Sequence, residues 1–248
     1  MEKSHQKIIE LFKKGELHNA LDSAKYVSFK EVKGDLITLS PFSNECIKHS
    51  GYPELLNIRR SKRKYTDTPI TQSQLAFMLC STQGIQALKL KTSRSVPSGG
   101  AIHPFETYIA AKAVEGIDPG IYRYVPEENI GENRVTLEVV STLDDYEDKS
   151  DDMLLGQSWA AKAPVVLFYT YMPSRSKGRL NEVTAAYRVM LIDLGHVGQN
   201  AMLSAAALGL GCCCLIGFDQ GICDSVLGID GVNEYTVYTI SVGAVPLG

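Results

Sequence analysis

The alternation of apolar and polar positions divides the chain into a charged, weakly patterned start and a long remainder in which strands and helices are mixed. Residues 1–50 carry two short helical stripes, Ile8, Ile9, Leu11 and Phe12 and then Leu17, Ala20, Leu21 and Ala24, with a turn at Pro41. They read as an N-terminal appendage to a domain spanning 51–248. At Thr71 the segment TQSQ offers a threonine N-cap with glutamine three positions on, and Leu75, Met78 and Leu79 continue an apolar stripe. This predicts a helix of about three turns. From Glu106, ETYIAAKAV reads as a strand, and beyond Asp118-Pro119-Gly120 the segments GIYRYV and RVTLEVV read as a hairpin. Ala163 to Thr170, APVVLFYT, is a continuous β-branched and aromatic run, the mark of a strand buried on both faces. The longest helical pattern, Glu182 to Leu208, is apolar around most of its circumference, so it is expected inside the protein and ended by Gly209. The strand GCCCLIG, a turn region around Asp219 to Asp230 and a last strand YTVYTISVG, Tyr235 to Gly243, complete the pattern. Without a regular βαβ rhythm, this mixture predicts an α+β fold.

Composition narrows the function classes. The 248 residues are 44% hydrophobic and 21% charged, with a formal net charge of −3. The chain is long enough to bury one sizeable core or two small ones, and no global basic field exists to hold a nucleic acid. Ala201 to Phe218 runs 18 residues without a charge, the lower limit for a membrane span. Gly209 and Gly211 interrupt it and polar His196, Gln199 and Asn200 precede it, so a buried helix followed by a buried strand fits better and no membrane association is expected. The start lacks an uninterrupted apolar segment of the secretory kind, which makes the cytoplasm the expected compartment. Six cysteines without a CxxC pair agree with a reducing environment and with no metal site. On a strand, Cys212 and Cys214 face one side and Cys213 the other, as small core residues. The acidic run Asp144 to Asp152 reads as a solvated surface or the start of a helix.

Three constellations can carry chemistry. Arg59, Arg60, Lys62, Arg63 and Lys64 surround Ser61, five cations in six positions of an otherwise acidic chain. A bare charge run is ordinarily a solvated face, but arginines with a hydroxyl donor between them suit a phosphate dianion. Pro97-Ser98-Gly99-Gly100 opens a loop closed by His103-Pro104, with glycines that let backbone N–H groups approach a flat ligand; most such clusters are plain turns. Asp193-Leu194-Gly195-His196-Val197-Gly198-Gln199-Asn200 places His196 and Asn200 on one helix face, where a satisfied core histidine is the plainer reading, and small residues permit close helix packing. Gly209-Leu210-Gly211 ends a helix instead of opening one, so there is no dinucleotide fingerprint, and Walker A, GxSxG and HExxH signatures are absent.

Taken in order, RRSKRKY (59–65), PSGGAIHPFE (97–106), GIYRY (120–124) and DLGHVGQNAMLSAAALGLGCCCLIGF (193–218) resemble the nitroreductase superfamily, in particular its SagB-type dehydrogenase branch. The resemblance implies a nitroreductase-like α+β fold, a central mostly antiparallel sheet flanked by helices, in a domain-entwined homodimer with FMN at two interface sites. It implies an FMN-dependent oxidoreductase working by ping-pong hydride transfer from NAD(P)H through flavin N5 to a small organic acceptor such as a nitro compound or quinone. Transferred residue by residue, it assigns the phosphate and flavin-edge grip to Arg59, Arg60, Ser61 and Arg63. Pro97, Ser98 and Gly99 fall against the flavin of the other subunit, and Leu215, Ile216 and Gly217 near N5 and O4. No side chain is nominated as a catalytic acid or base.

Two departures modify the expectation. Family members often place a Lys or Arg near the C-terminus on the phosphate, whereas here no cation follows Arg188. The 59–63 cluster must then hold the phosphate almost alone, and weak FMN retention is expected. The branch's azoline-oxidising members carry a Lys-Tyr pair shortly before the position of Tyr187-Arg188, where Asn181-Glu182 stand in this chain. Oxidation of a peptide or other natural-product precursor is therefore the alternative activity, and a non-catalytic flavin-binding protein is the alternative outside enzymes.

Overall fold

The computed structural model describes residues 29–86, 93–126, 133–176, 180 and 183–246. The two helical stripes before residue 25, the loop of the 120–142 hairpin and Asn181-Glu182 lie outside the described residues.

Seven strands form one sheet: β1 (Leu36–Thr38), β2 (Phe105–Ala111), β3 (Gly120–Tyr124), β4 (Thr136–Thr142), β5 (Val165–Tyr171), β6 (Gly211–Leu215) and β7 (Tyr235–Gly243). Their order is β1-β4-β3-β2-β5-β7-β6, and each neighbouring pair is antiparallel. Helices cover both faces. On one, α2 (Gln72–Gln83) and the long α6 (Val183–Ala207) pack over Phe105, Ile109, Leu167, Tyr169 and Ile240. On the other, α3 (Asp144–Met153), α4 (Ser158–Ala161) and α7 (Gln220–Val226) pack over Tyr108, Ile121, Val166 and Phe168. The expected α+β architecture with a mostly antiparallel sheet is what forms, together with a short α1 (Tyr52–Ile58) and α5 (Pro173–Ser176).

Local chemistry accounts for the boundaries. Thr71 Oγ1 accepts the Gln74 N–H at 3.1 Å while Gln74 Oε1 accepts the Thr71 N–H at 2.9 Å, a reciprocal cap that starts α2. β5 alternates Val165, Leu167 and Tyr169 onto one core and Val166 and Phe168 onto the other, which is why its run has no solvent-facing polar alternation from Val165 to Tyr169. Gly209 takes φ +70°, the left-handed turn that ends α6. α7 replaces the turn expected over 219–230: the Asp219 carboxylate accepts the Ile222 N–H at 3.0 Å, and a seven-residue helix has too few turns to display a period. The acidic run 144–152 is helical, with Asp144, Asp145 and Glu147 complementing the helix N-terminus. α6 departs from the interior position expected of it at Leu191 and Ile192, which are 49% and 60% exposed.

Residues 29–50 run along this body. β1 pairs with β4, and the chain before it crosses a buried polar network at one end of the α3/α7 side of the sheet. There Arg123 joins Glu106 (3.0 Å) and Glu138 (2.6 Å), Arg175 bonds the second oxygen of Glu106, and Lys30 pairs with Glu234 (2.5 Å) and touches the Tyr108 hydroxyl. Lys33 and Gly34 close the ring with backbone N–H bonds to Glu138.

Beside this network, burial pushes Asp224 up to about 6, against the lowering effect of its bonds from Thr236 N–H, Thr236 Oγ1 and Gln220 and with a further push from Glu234. A raised carboxylate favours the folded state below its unfolded value of 3.8 and loses that advantage as pH climbs through 6. Asp224→Asn keeps an acceptor for Thr236, and Gln220 can turn its amide to match. The variant is expected to exceed the parent in stability by about 1–2 kcal/mol at pH 8 and to match it near pH 4. Denaturant unfolding at pH 4, 6 and 8 measures this; a gain that does not grow with pH would contradict the assignment.

Candidate active site

The basic segment emerges from α1 and runs beside the edge strand β6. Arg59 N–H closes the helix on the Leu55 carbonyl at 3.0 Å, after which Ser61 forms a parallel bridge with Cys212 and Lys62 N–H donates to the Cys212 carbonyl at 3.0 Å. The cluster divides around that strand. Arg59 is half-buried, its guanidinium 3.7 Å from the Met202 sulfur of α6 and near Cys212 and Cys214. Ser61 and Arg63 lie by Cys213, whose thiol burial raises and Arg63 lowers, and the Arg63 guanidinium carbon is 5.6 Å from the centre of the Trp159 ring. Arg60 is spent on the end of α1, donating to the Asn57 and Arg59 carbonyls at 2.9 and 2.8 Å. Among the described residues no carboxylate lies at ion-pair distance from Arg59, Arg60 or Arg63. In a chain with a surplus of acids, Arg59 and Arg63 thus carry guanidinium groups that no described carboxylate neutralises, the chemistry an anion would require.

β6 leads from this cluster directly into Leu215, Ile216 and Gly217. Leu215 is buried, Ile216 is 69% exposed, and the Gly217 carbonyl accepts the Gln157 side-chain amide at 2.7 Å. The 59–63 segment and the 215–217 segment are therefore brought to one edge of the sheet.

The loop 97–103 is held elsewhere. Ser98 Oγ donates to Asp193 of α6 at 2.6 Å and accepts the His103 N–H at 2.9 Å, while Gly99 N–H donates to the second Asp193 oxygen at 3.2 Å. Gly99 is tight on the helix: an added Cβ would stand 2.8 Å from Val189. Burial raises the Asp193 pKa, opposed by Ser98, Gly99 and His196. Ala101 and His103 have φ of +52° and +47°, so two non-glycine residues of this short loop are held left-handed, a strain the surrounding bonds maintain. His103 is neutral at physiological pH, lowered to about 4 by burial and by Arg94 and Arg175. Pro97 is exposed at the loop's outer end. Asp193 and Met202 are nine residues apart on α6, which puts them roughly 13 Å apart along its axis and half a turn around it. Within one chain, then, α6 separates the 97–99 loop from Arg59.

A family model described as the nitroreductase family matches residues 56–244. The chain belongs to the nitroreductase family. It is similar to MJ1384 of Methanocaldococcus jannaschii, a nitroreductase by name, at 30% identity over 193 residues, 77% of this chain and 89% of that protein. It is also similar to the trifolitoxin-processing protein TfxB of Rhizobium leguminosarum bv. trifolii, at 34% identity over 144 residues, which are 57% of this chain and 37% of TfxB. Among solved structures, the E. coli microcin synthetase McbBCD complex with truncated pro-MccB17 bound matches at TM-score 0.60 and 19% identity, over 93% of this chain and 82% of that one. A nitroreductase of Desulfovibrio desulfuricans in complex with FMN matches at TM-score 0.53 and 14% identity, over 81% of this chain and 89% of that one.

Three residues of this chain at the described sites are not among those the sequence nominated. Asp193 stands inside the DLGHVGQN motif and anchors the 97–99 loop through the Ser98 hydroxyl, a partnership across 95 residues. Gln157 and Trp159 fall in a stretch without pattern, Gly156-Gln157-Ser158-Trp159, and only their contacts with Gly217 and Arg63 mark them. No described helix of the chain is long and apolar enough to cross a membrane.

Proposed function

We propose that the chain is an FMN-dependent oxidoreductase that takes reducing equivalents from NAD(P)H and delivers them to a small organic acceptor such as a nitro compound or quinone, as a homodimer with two shared sites. The observation that carries this is the acid-free set Arg59, Ser61 and Arg63 placed at the same sheet edge as the 215–217 backbone. A phosphate needs cationic and hydroxyl donors at one end, and a reducible ring needs accessible backbone at the other, so the residues present fit FMN. When bound, FMN supplies two-electron acceptance and release of a hydride at N5. The chain's part is to grip the phosphate with Arg63, Ser61 and Arg59, to offer backbone N–H groups of 215–217 to the charge that reduction creates, and to exclude water with Ile216.

A second copy of the chain completes the proposal. The 97–99 loop lies across α6 from Arg59, and next to Asp193 on α6 Leu191 and Ile192 present apolar side chains that nothing in the described chain covers. Pro97, Ser98 and Gly99 of one protomer can then serve the site of the other. Full-length protein mixed with FMN is expected to yield a yellow dimer that NADH or NADPH bleaches without oxygen and a nitroaromatic or quinone restores. Failure to take up FMN overturns the reading, and FMN uptake without bleaching by either donor leaves a flavin-binding protein with no reductase activity.

The similarity to TfxB favours a second reading, oxidation of a peptide precursor, with the same groups holding the same cofactor. Turnover of an azoline-containing peptide under oxygen in place of NAD(P)H consumption would select it.

A further inference from the structure

We propose that the turn 153–159 is the positioning brace of this site: Gln157 fixes the 215–217 backbone at one end and Trp159 fixes Arg63 at the other. The inference rests on the assignment of those two segments to FMN. α3 ends at Met153, and Leu155 and Gly156 then take φ of +52° and +73°, two left-handed residues in succession that reverse the chain. A leucine in that region is strained, and it is kept there by Leu155 N–H and Gly156 N–H bonds to the Asp152 and Asp151 carbonyls at 3.1 and 2.7 Å.

The reversal aims Gln157 at β6. Its side-chain NH2 donates twice, to the Leu154 carbonyl at 3.1 Å and the Gly217 carbonyl at 2.7 Å, so both amide hydrogens are committed. A second tie, Asp219 N–H to the Met153 carbonyl at 2.7 Å, sews the same two loops together. Gly217 is in direct contact with the amide: an added Cβ would stand 3.0 Å from Gln157 Nε2. A carbonyl next to the exposed Ile216 could take its hydrogen bond from water, which would leave the peptide free to turn. A side chain anchored at both hydrogens holds it in one orientation instead.

Two residues on, the Trp159 ring stands beside the Arg63 guanidinium while packing on the core beneath α4. Arginine is costly to order, and a ring that limits its rotamers lowers the entropy lost when an anion arrives. One seven-residue turn thus sets both ends of the site.

The two contacts predict separable effects. In full-length protein without cofactor, Gln157→Leu is expected to speed amide exchange across 215–218 at least tenfold while exchange in α6 is unchanged. After FMN is added, the same variant should bind reduced FMN about tenfold less tightly relative to oxidised FMN, which lowers the two-electron midpoint potential by about 30 mV. Its affinity for oxidised FMN should stay within threefold of the parent's. Trp159→Leu should do the reverse, weakening oxidised FMN about tenfold at an unchanged potential. Gln157→Met, equal in length and without donors, replaces Gln157→Leu if the branched side chain disturbs the turn. Trp159 is the only tryptophan, so the affinities of the parent and of all the variants are read from the quenching of FMN's own fluorescence on binding. If the parent binds FMN and the variants match it, or lose affinity and potential together, the brace is overturned while the flavin assignment stands. If the parent binds no FMN, the assignment fails and the brace fails with it.

Discussion

Replacing Arg123 with Met is expected to cost about 3–5 kcal/mol of folding free energy, among the largest single-residue losses the chain can suffer. The guanidinium is 1% exposed and is shared between Glu106 and Glu138, with a further bond to the Glu31 carbonyl at 3.2 Å. Methionine fills much of the volume but leaves two buried carboxylates with one cation fewer. Glu106 retains Arg175, and Glu138 retains the Lys33 and Gly34 N–H groups, so the network is weakened instead of emptied. Burial pushes Glu106 up, yet Arg175, Arg123 and Arg94 together hold it below its usual 4.5. A lowered carboxylate contributes stability above its unfolded value and loses it as pH falls through the folded value. The parent therefore gains from this pair at neutral pH, and the gap to Arg123→Met should narrow below about pH 4.5. Thermal unfolding at pH 7 should show a drop of about 10 °C. Adding Glu138→Gln should recover part of it by removing one uncompensated charge. A single variant as stable as the parent at pH 7 would contradict this account.

Why that network was not legible in the sequence is a matter of distance. GIYRY was recognisable as a strand, but nothing local says that its arginine faces inward, since its partners come from positions 106, 138 and, through Glu106, 175. What was legible depends on near neighbours. The α2 cap needs only Thr71 and Gln74, the two-sided burial of β5 is written in eight consecutive residues, and the end of α6 needs one glycine with a left-handed backbone. The Cys212–Cys213–Cys214 alternation also follows from strand geometry alone, and the first and last of these do face the α6 side. α7 was missed because its signal is one capping aspartate over seven residues. For the site, motif order located the residues but not their arrangement. Arg60 is occupied by its own helix end, Arg59 and Arg63 diverge around β6, and the Ser98 hydroxyl is bonded to Asp193. Backbone segments keep their identity along a sequence, whereas the direction of each side chain is decided by elements that arrive from far along the chain.

That division of the cationic cluster sets unequal consequences for FMN. The double reversal Arg59→Glu with Arg63→Glu is expected to weaken FMN binding at least about a thousandfold, because each charge-assisted contact to a phosphate contributes about 1.5–3 kcal/mol and reversal adds repulsion. Neither arginine has a carboxylate partner among the described residues, so no ion pair inside the fold is broken by the change. The melting temperature of the protein without cofactor should accordingly move little. Arg60→Glu should weaken FMN far less, by about tenfold or under, since its guanidinium serves the Asn57 and Arg59 carbonyls and acts on an anion only through the field of its charge. No Lys or Arg follows position 188 to share the load, so even the parent should release FMN on dialysis at high salt, where screening weakens the contacts exposed at the sheet edge. Fluorescence titration with FMN at low and high ionic strength measures all of these. A loss for Arg60→Glu as large as half that of the double reversal on the free-energy scale would mean that charge density alone holds the phosphate, and FMN retained in full through high-salt dialysis would mean that other groups of the fold hold it.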